Sequence, residues 1–311
     1  MSKLGLATVL VAVMALCAGP ASAVIFDPNT TAVLFDGSQY NAGTGALPNS
    51  GYLGSSADAG SSIWGASDPT ATANHFGAGL HAVTFTNTLH NNGQALSYDP
   101  TGVPIGTNAK LTMFVVADDL NTGPGLNGTD PWRHGMFGYG EGGAGQDNDA
   151  DGMNFWNRPD LGGAIEIALD SSGGPGVSIS PPNNEVVVLA VTVNVTNDQG
   201  DFLMITSGGV TGPSGESDPP DCCGGNWDVK SDHGYINGFA DGANYAYMAD
   251  WNMAAVAIVD TNLSTGDMQT IAQALYDRYA NGSGEALIPE PATMALLGIG
   301  GLMVLRRRRS A

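Results

Sequence analysis

Short apolar segments of strand length, set between clusters of turn-forming residues, restrict the possible folds of this chain more than any other feature. Residues 82–86 (AVTFT) alternate apolar and polar side chains, and residues 186–195 (VVVLAVTVNV) are rich in β-branched residues. This period and composition indicate β-strands, whereas the flanking Gly, Asn, Asp and Pro favour turns. The other segments of this kind are residues 32–36, 110–117, 134–139, 164–169, 202–206 and 245–259, the last with one or two strands.

Eight or more such strands with turn-rich connections predict an all-β fold, a two-sheet antiparallel sandwich. The 45 glycines of the chain also favour turns over long helices. Residues 37–74 and 208–234 are long stretches between the strand segments, so we expect them to be surface loops.

Residues 264–279 (STGDMQTIAQALYDRY) depart from this pattern and predict one short C-terminal amphipathic helix. Ser264 stands at the N-cap position with Asp267 three residues later, and Asn281 and Gly282 follow the last turn. The apolar residues at helical spacing are Met268, Ile271, Ala272, Leu275 and Tyr279. We expect this helix to pack on the sandwich.

The junction from strand to helix, AAVAIVDTNLS followed by TGDMQTIAQALYDRYA, resembles the C-terminal end of laminin-G-like, concanavalin A-like domains in bacterial secreted proteins. The segments AVTFTNT and KLTMFVVAD also resemble strands of that family. The resemblance spans residues 33–280 and implies an antiparallel jelly-roll sandwich (concanavalin A-like, LamG-like) of roughly a dozen strands. It also implies a domain class that often binds glycans or Ca²⁺.

Residues 1–23 have the three parts of a secretory signal peptide. Lys3 gives a positive start, residues 4–18 an apolar core, and residues 21–23 (Ala-Ser-Ala) a cleavage site of small residues. We therefore expect the exported chain to begin at Val24.

The last residues, 288–311 (IPEPATMALLGIGGLMVLRRRRSA), here called the C-terminal tail, combine three parts in order. The first is the motif Pro289, Glu290 and Pro291, whose prolines keep it extended and accessible. An apolar run (292–305) follows; it is shorter than the ~20 residues that usually cross a bilayer, yet it can form a marginal transmembrane helix. The third part is a cluster that favours the cytoplasmic side: Arg306, Arg307, Arg308 and Arg309.

This order resembles the PEP-CTERM sorting signal of exopolysaccharide-producing Gram-negative bacteria. The resemblance implies processing by an exosortase-type membrane protease-transpeptidase, an inner-membrane intermediate and delivery to the cell surface or extracellular matrix. An ordinary membrane anchor does not account for a Pro-Glu-Pro motif placed directly against the apolar run. The predicted organisation is therefore a signal peptide (1–23), a LamG-like β-sandwich domain (24–287) and a sorting signal (288–311).

The region between the signal peptide and the apolar run is strongly acidic. It contains all 30 acidic residues of the chain, against five basic ones: Lys110, Arg133, Arg158, Lys230 and Arg278. This region is thus more negative than the whole-chain charge of −20. Such a field repels nucleic acid and favours divalent cations, so we expect no nucleic-acid partner.

Residues 146–152 (QDNDADG) predict a Ca²⁺ site, because carboxylates at alternate positions can converge on one hard cation and Gly152 permits the turn. The twelfth position of an EF-hand is Arg158 rather than Glu, which excludes a full EF-hand; Asp160 or another carboxylate would complete the shell. An acidic solvated loop is the alternative. The candidate ligands are Asp147, Asp149, Asp151 and the carbonyl of Met153.

Cys222 and Cys223 are the cysteines that remain after signal cleavage, and they are adjacent. Adjacent Cα atoms stand ~3.8 Å apart, below the usual disulfide range, so a vicinal disulfide needs backbone distortion. A vicinal disulfide with a structural role is the favoured hypothesis; pairing with another chain and two free thiols are the alternatives.

Four tryptophans lie near polar segments, where exposed rings could stack on sugars, although core packing explains them equally well. Trp251 is one of them, and the candidate glycan-stacking residues are Trp132, Trp156 and Trp227. A glycosidase-like carboxylate pair is conceivable at Glu166 and Asp170, which share one face of an extended strand. The Glu-x-Asp-x-x-Glu cluster of laminarinase-like jelly rolls is missing, however.

These patterns together predict an exported, non-catalytic surface or matrix protein that associates with extracellular polysaccharide and binds glycans and Ca²⁺. On this interpretation the chain is not an enzyme. The alternative is a secreted glycoside hydrolase on the same fold.

Overall fold

The structure is a computed structural model, and it describes residues 24–61, 67–86, 94–104, 109–120, 134–140, 152–158, 164–169, 181–182, 184–194, 199–217, 233–241, 244–246, 250–282 and 286–288. The chain divides into two compact units. One is Pro28–Ser283, and the other joins Met1–Asp27 with Gly284–Ala311.

The described part of the first unit consists of β-strands, two short 3₁₀ turns and one α-helix, α1 (Thr265–Ala280). The strands are β1 (Thr31–Asp36), β2 (Gly60–Ser61), β3 (Thr70–Thr72), β4 (Ala82–Phe85), β5 (Leu96–Tyr98), β6 (Lys110–Asp118), β7 (His134–Gly140), β8 (Gly152–Arg158), β9 (Ala164–Leu169), β10 (Val187–Asn194), β11 (Gln199–Thr206), β12 (Gly209–Ser217), β13 (His233–Ile236), β14 (Phe239–Asp241), β15 (Asn244–Ala246) and β16 (Trp251–Val259).

Most of these strands form two antiparallel sheets. The larger, eight-stranded sheet has the order β12-β11-β10-β6-β16-β4-β3, and β1 pairs with the second half of β16. The smaller, six-stranded sheet has the order β2-β5-β13-β7-β8-β9, and β14 and β15 pair with each other.

Strand alternation directs one set of side chains from each sheet into a shared core. On β6 these are Leu111, Met113, Val115 and Ala117, and the smaller sheet contributes Leu96, Phe137, Phe155, Ile165 and Ile236. The register aligns Val115 with Leu189 on β10 and with Val256 on β16. A slip by one residue would turn these side chains out of the core, so burial fixes the register. The two sheets therefore pack face to face as a sandwich.

Helix α1 packs on the outer face of the larger sheet, over β6, β10 and β11. Its buried side chains are Met268, Ala272, Leu275 and Tyr279, the face that helical spacing predicts. The Ser264 hydroxyl oxygen accepts a hydrogen bond from the Asp267 backbone N–H at 3.2 Å. Gly282 directly follows the C-cap residue Asn281 and adopts a φ of 64°. The predicted helix and its cap are confirmed.

Replacing Ser264 with alanine should lower the free energy of unfolding by about 1 kcal/mol, because the Asp267 N–H loses its acceptor. Ser264→Thr keeps a hydroxyl oxygen there and should cost less than half as much. Urea unfolding of both variants measures the difference. Equal losses in the two variants would mean that the cap does not contribute.

The all-β class with one helix is confirmed, and the predicted strand 164–169 coincides with β9. The prediction of surface loops is wrong. Residues 37–74 include β2 and β3 and bury Leu47, Ala57 and Ala59, while β12 lies within residues 208–234. The narrower jelly-roll, LamG-like assignment stays a prediction. No helix within the described residues is long and apolar enough to cross a membrane.

Asn49 holds the segment 37–74 against β1. Its Oδ1 accepts from the backbone N–H groups of Leu34 (2.8 Å) and Gly51 (2.9 Å), and its Nδ2 donates to the Ala32 carbonyl at 3.2 Å. Asn49 is buried and its polar atoms are hydrogen-bonded, so hydrogen bonds hold this segment in place. The segment therefore lacks the alternating apolar pattern that identifies a strand in the sequence.

Two tyrosine hydroxyls tether the same segment. Tyr40 donates to the Pro69 carbonyl and Tyr52 to Asp260 Oδ2, each at 2.9 Å. Burial raises the pKa of Tyr40 to about 12, with a further contribution from the charge of Asp68. Burial also raises the pKa of Tyr52 to about 12, supported by the hydrogen bond to Asp260 and by its charge.

Folding stability should therefore decline as the pH rises from about 10 to about 12, because unfolded tyrosines ionise near 10 while these two stay protonated in the folded chain. Their contribution is complete below pH ~10 and is lost as the pH passes their folded pKa. Tyrosinate absorbance compared between the parent and Tyr52→Phe locates the ionisation of Tyr52. A Tyr52 midpoint near the ordinary value of 10 would refute the tether.

Candidate functional site

The face of the smaller sheet that is turned away from the core forms the candidate site. Phe155 on β8 and Ile165 on β9 belong to the core, so strand alternation places positions 156 and 166 on the opposite face. The register pairs Trp156 directly with Glu166. Directly opposed residues have Cβ atoms about 4.5–5.5 Å apart. An aromatic residue and a carboxylic acid are therefore immediate neighbours on this face.

Further polar positions share the face. Alternation along β8 places Asn154 and Arg158 on the same side as Trp156. Tyr235 on β13 is also on this side, because its neighbour Ile236 belongs to the core. Since β7 and β8 separate β13 from β9 and the register aligns Tyr235 with Ala168, positions 235 and 166 are about 16 Å apart. The two cannot act on one bond, so Glu166 and Trp156 are the centre of the site.

The residue types of the smaller sheet are unevenly distributed. Across its six strands, Glu166 is the only acidic residue, Arg158 the only lysine or arginine, and Trp156 the only tryptophan. All three lie on the neighbouring strands β8 and β9. The residue types with acid–base and sugar-stacking chemistry thus occupy two neighbouring strands of the sheet.

This pair suits carbohydrate chemistry. An indole ring stacks on the apolar face of a sugar, and a carboxyl group beside an aromatic ring is a favourable general acid. Glycoside hydrolysis needs a second carboxyl group roughly 5–9.5 Å from the first. The predicted partner Asp170 lies outside the described residues, so its pairing with Glu166 stays a prediction.

A second polar cluster crosses the outer face of the larger sheet. His75 Nε2 and Asp118 Oδ2 are 2.7 Å apart, and Asn252 Nδ2 donates to Asp118 Oδ1 at 2.9 Å. The Thr84 hydroxyl donates to Asn252 Oδ1 at 2.7 Å and lies 2.6 Å from the Thr72 hydroxyl. Each member is bonded to the next, so the cluster links strands β3, β4, β16 and β6 with residue 75.

Most of the predicted site residues lie outside the described residues. They are Asp147, Asp149, Asp151, Cys222, Cys223, Trp132, Trp227, Pro289, Glu290, Pro291, Arg306, Arg307, Arg308 and Arg309. The Ca²⁺ site and the vicinal disulfide stay predictions. Within the described ranges, no group of three or more His, Cys, Asp or Glu side chains could hold a metal ion.

Met153 and Arg158, the seventh and twelfth positions of the supposed loop, both belong to the extended strand β8. Asp160, the suggested further ligand, lies outside the described residues.

Trp251 is a core residue and not a candidate for sugar stacking. It is 2% exposed and stacks on Phe85 with ring centroids 5.4 Å apart and an interplanar angle of 15°. Its Nε1 donates to Asn237 Oδ1 at 3.0 Å. Its position at the start of the nine-residue buried strand β16 is the sequence signal that favours the core.

Comparison with known proteins first concerns the tail. Residues 287–309 match the PEP-CTERM protein-sorting motif. The match supports an exported protein that passes the membrane and is processed by an exosortase. No curated protein matches the chain.

Solved structures with a similar fold include glycoside hydrolases. A Trypanosoma rangeli sialidase in complex with sialic acid has a TM-score of 0.51 at 11% identity, covering 81% of this chain and 34% of the sialidase. A GH54 α-L-arabinofuranosidase soaked with a cyclic sulfate inhibitor has a TM-score of 0.50 at 14% identity, covering 79% of this chain and 53% of that enzyme. This chain thus matches about a third to a half of their lengths. At these identities the likeness is one of fold.

These neighbours contradict two predictions from the sequence, that the protein is non-catalytic and that it is not an enzyme. The missing laminarinase-like carboxylate cluster favoured a non-catalytic protein, but glycoside hydrolases share the fold of this chain. The alternative interpretation, a secreted glycoside hydrolase, fits the comparisons better.

Proposed function

We propose that this chain is an exported glycoside hydrolase that acts on neutral polysaccharide at the outer face of the smaller sheet. The observation that carries the proposal is the direct pairing of Trp156 with Glu166 on that face. The fold shared with a sialidase and an arabinofuranosidase supports it.

In this proposal Trp156 holds a sugar ring by stacking, and Glu166 donates its proton to the glycosidic oxygen as the bond to the anomeric carbon breaks. The reaction also needs a second carboxylate, which either removes a proton from the attacking water or bonds to the anomeric carbon before water replaces it. Either route consumes one water molecule and leaves one new reducing end.

Charge limits the class of substrate. The exported region contains 30 acidic residues and five basic ones, so a polymer of uronate or sialate residues would be repelled. Of the basic residues in the described ranges, Lys110 lies on β6 of the larger sheet and Arg278 on α1, which packs on that sheet, so Arg158 on β8 is the cation on the proposed face. A single guanidinium can donate hydrogen bonds to sugar hydroxyls. We therefore infer a neutral polysaccharide.

The PEP-CTERM motif suggests where the enzyme would act. Sorting to the surface or extracellular matrix would place the site beside extracellular polysaccharide, which is the proposed substrate.

A polysaccharide panel tests this function. The purified exported protein is incubated with neutral polymers (arabinan, xylan, galactan) and with uronate polymers (alginate, polygalacturonate). Affinity electrophoresis measures binding, and a reducing-end assay measures cleavage. We expect binding and cleavage of at least one neutral polymer. Binding without cleavage across the panel would overturn the hydrolase, and preferential cleavage of uronates would overturn only the substrate class.

A further inference from the structure

Two asparagine–glycine pairs of this chain have opposite surroundings. The sequence contains four such pairs, and the structure describes two of them, Asn237 with Gly238 and Asn281 with Gly282. In an Asn-Gly pair the backbone nitrogen of the glycine can attack the side-chain carbonyl of the asparagine, because glycine has no Cβ atom to hinder the approach. Whether the attack occurs in a folded chain depends on how the two residues are held.

Asn237 and Gly238 are held by hydrogen bonds inside the protein. Asn237 is fully buried; its Oδ1 accepts from Trp251 Nε1 at 3.0 Å, and its Nδ2 donates to the Gln94 carbonyl at 2.8 Å. The Gly238 N–H donates to the Gly135 carbonyl at 2.9 Å. The attacking nitrogen and both polar atoms of the side chain are therefore engaged, and burial keeps water away from the amide.

Asn281 and Gly282 lie at the exposed end of α1. Asn281 is the C-cap residue, and it donates twice to Asp277, from its backbone N–H to the carbonyl at 3.3 Å and from Nδ2 to Oδ1 at 3.1 Å. Closure of a five-membered ring requires the ψ of Asn281 to rotate from −6°, because the ring places Cβ and the glycine nitrogen on the same side of the Cα–C bond. Helix ends open at little cost in free energy, so this rotation is accessible here.

We propose that Asn281 and Gly282 form a self-modification site at which the end of α1 acquires a negative charge. The Gly282 nitrogen bonds to Cγ of Asn281 and loses its proton, and Nδ2 leaves as ammonia, which gives a five-membered cyclic imide. One water molecule then opens the ring at either carbonyl and leaves aspartate or isoaspartate. The reaction needs no cofactor and no second enzyme, and the inference is independent of the proposed hydrolase activity.

The new charge would act on the last turn of α1. A carboxylate at position 281 is four residues from the carboxylate of Asp277, and it lies at the negative end of the helix dipole. Both effects are unfavourable for a turn that includes Tyr279, which packs edge-on against Phe76 with ring centroids 5.7 Å apart. We therefore expect the modified chain to unfold at a lower temperature.

Incubation of the purified exported protein in ¹⁸O-labelled water at neutral pH tests the site. A protease that cuts after acidic residues releases the segments around both asparagines, and mass spectrometry measures the conversion of each amide to a labelled acid. An isoaspartyl methyltransferase detects isoaspartate, which direct hydrolysis of the amide would not produce. The free peptides 278–285 (RYANGSGE) and 233–241 (HGYINGFAD) give the two rates in the absence of the fold.

We expect Asn281 to convert within about tenfold of the rate of its free peptide and to yield isoaspartate. Asn237 should convert at least about 10²-fold more slowly than its own peptide, because three hydrogen bonds must open first. Equal slowing of the two asparagines by the fold would overturn the inference, as would acid at position 281 without isoaspartate.

Two variants test the consequence for α1. Asn281→Asp introduces the charge directly and should lower the melting temperature by about 1–4 °C. Asn281→Gln is the matched control, because it keeps a neutral amide; its melting temperature should stay within about 1 °C of the parent. An equal melting temperature for the two variants would refute the effect of the charge on the helix.

Discussion

Replacing Glu166 with glutamine should reduce polysaccharide cleavage about 10²–10⁴-fold while binding stays within about twofold. Glutamine has nearly the same shape as the acid but cannot donate a proton to the glycosidic oxygen. The ring-stacking contact proposed for Trp156 would remain. Initial rates of reducing-end formation, together with affinity electrophoresis on the same polymer, separate the chemical step from binding.

Glu185→Gln is the matched control. Glu185 lies two residues before β10, a strand of the larger sheet, and its side chain accepts a hydrogen bond from the Ser207 hydroxyl. The same change of acid to amide there should leave cleavage unaltered. If Glu166→Gln kept more than a tenth of the parent rate, Glu166 would not be the general acid. If the control lost as much activity as Glu166→Gln, the effect would be one of charge or folding.

Replacing Trp251 with alanine should lower the free energy of unfolding by about 3–5 kcal/mol, a large part of the ~5–15 kcal/mol of a typical domain. The change removes the stacking on Phe85, leaves a cavity beside it and deletes the hydrogen bond to Asn237. Trp251→Phe retains a ring against Phe85 and should lose roughly half as much. Urea unfolding measures both losses, provided that the free energy of unfolding depends on urea concentration with the same slope in all variants.

Trp156→Ala tests a tryptophan on the outer face of the smaller sheet, in contrast to the core residue Trp251. It removes the same side chain from the face turned away from the core, so we expect weaker polysaccharide binding and a smaller loss of stability than Trp251→Ala causes. Equal destabilisation by Trp156→Ala and Trp251→Ala would contradict the placement of the two tryptophans on opposite faces.

The parts of the fold that the sequence predicts are those with a strong local pattern. Helix α1 follows from apolar residues at helical spacing and from the Ser264 cap, and β6 and β10 follow from long β-branched runs. Strands β12 (GVTGPSGES) and β8 (GMNFWNR) have no such pattern. Pairing with neighbouring strands forms them, because β12 pairs with β11 and β8 lies between β7 and β9. These interactions join distant parts of the chain and leave no local period.

The candidate site depends on the same kind of information. Trp156 and Glu166 each stand out in the sequence, one as an aromatic residue near polar segments and the other as an acid within an apolar strand. What the sequence does not provide is the register that places them opposite each other. Without β8, the only partner that the sequence suggests for Glu166 is Asp170, four residues further along the chain.

The most direct test of the central claim is hydrolysis in ¹⁸O-labelled water. A neutral polysaccharide is incubated with the purified exported protein, and the masses of the released oligosaccharides are measured by mass spectrometry. We expect oligosaccharides with one solvent-derived ¹⁸O atom at each new reducing end, and their formation should slow about 10²–10⁴-fold in the Glu166→Gln variant. Products without the label, or labelled products that form equally fast in Glu166→Gln, would contradict a glycoside hydrolase centred on Glu166.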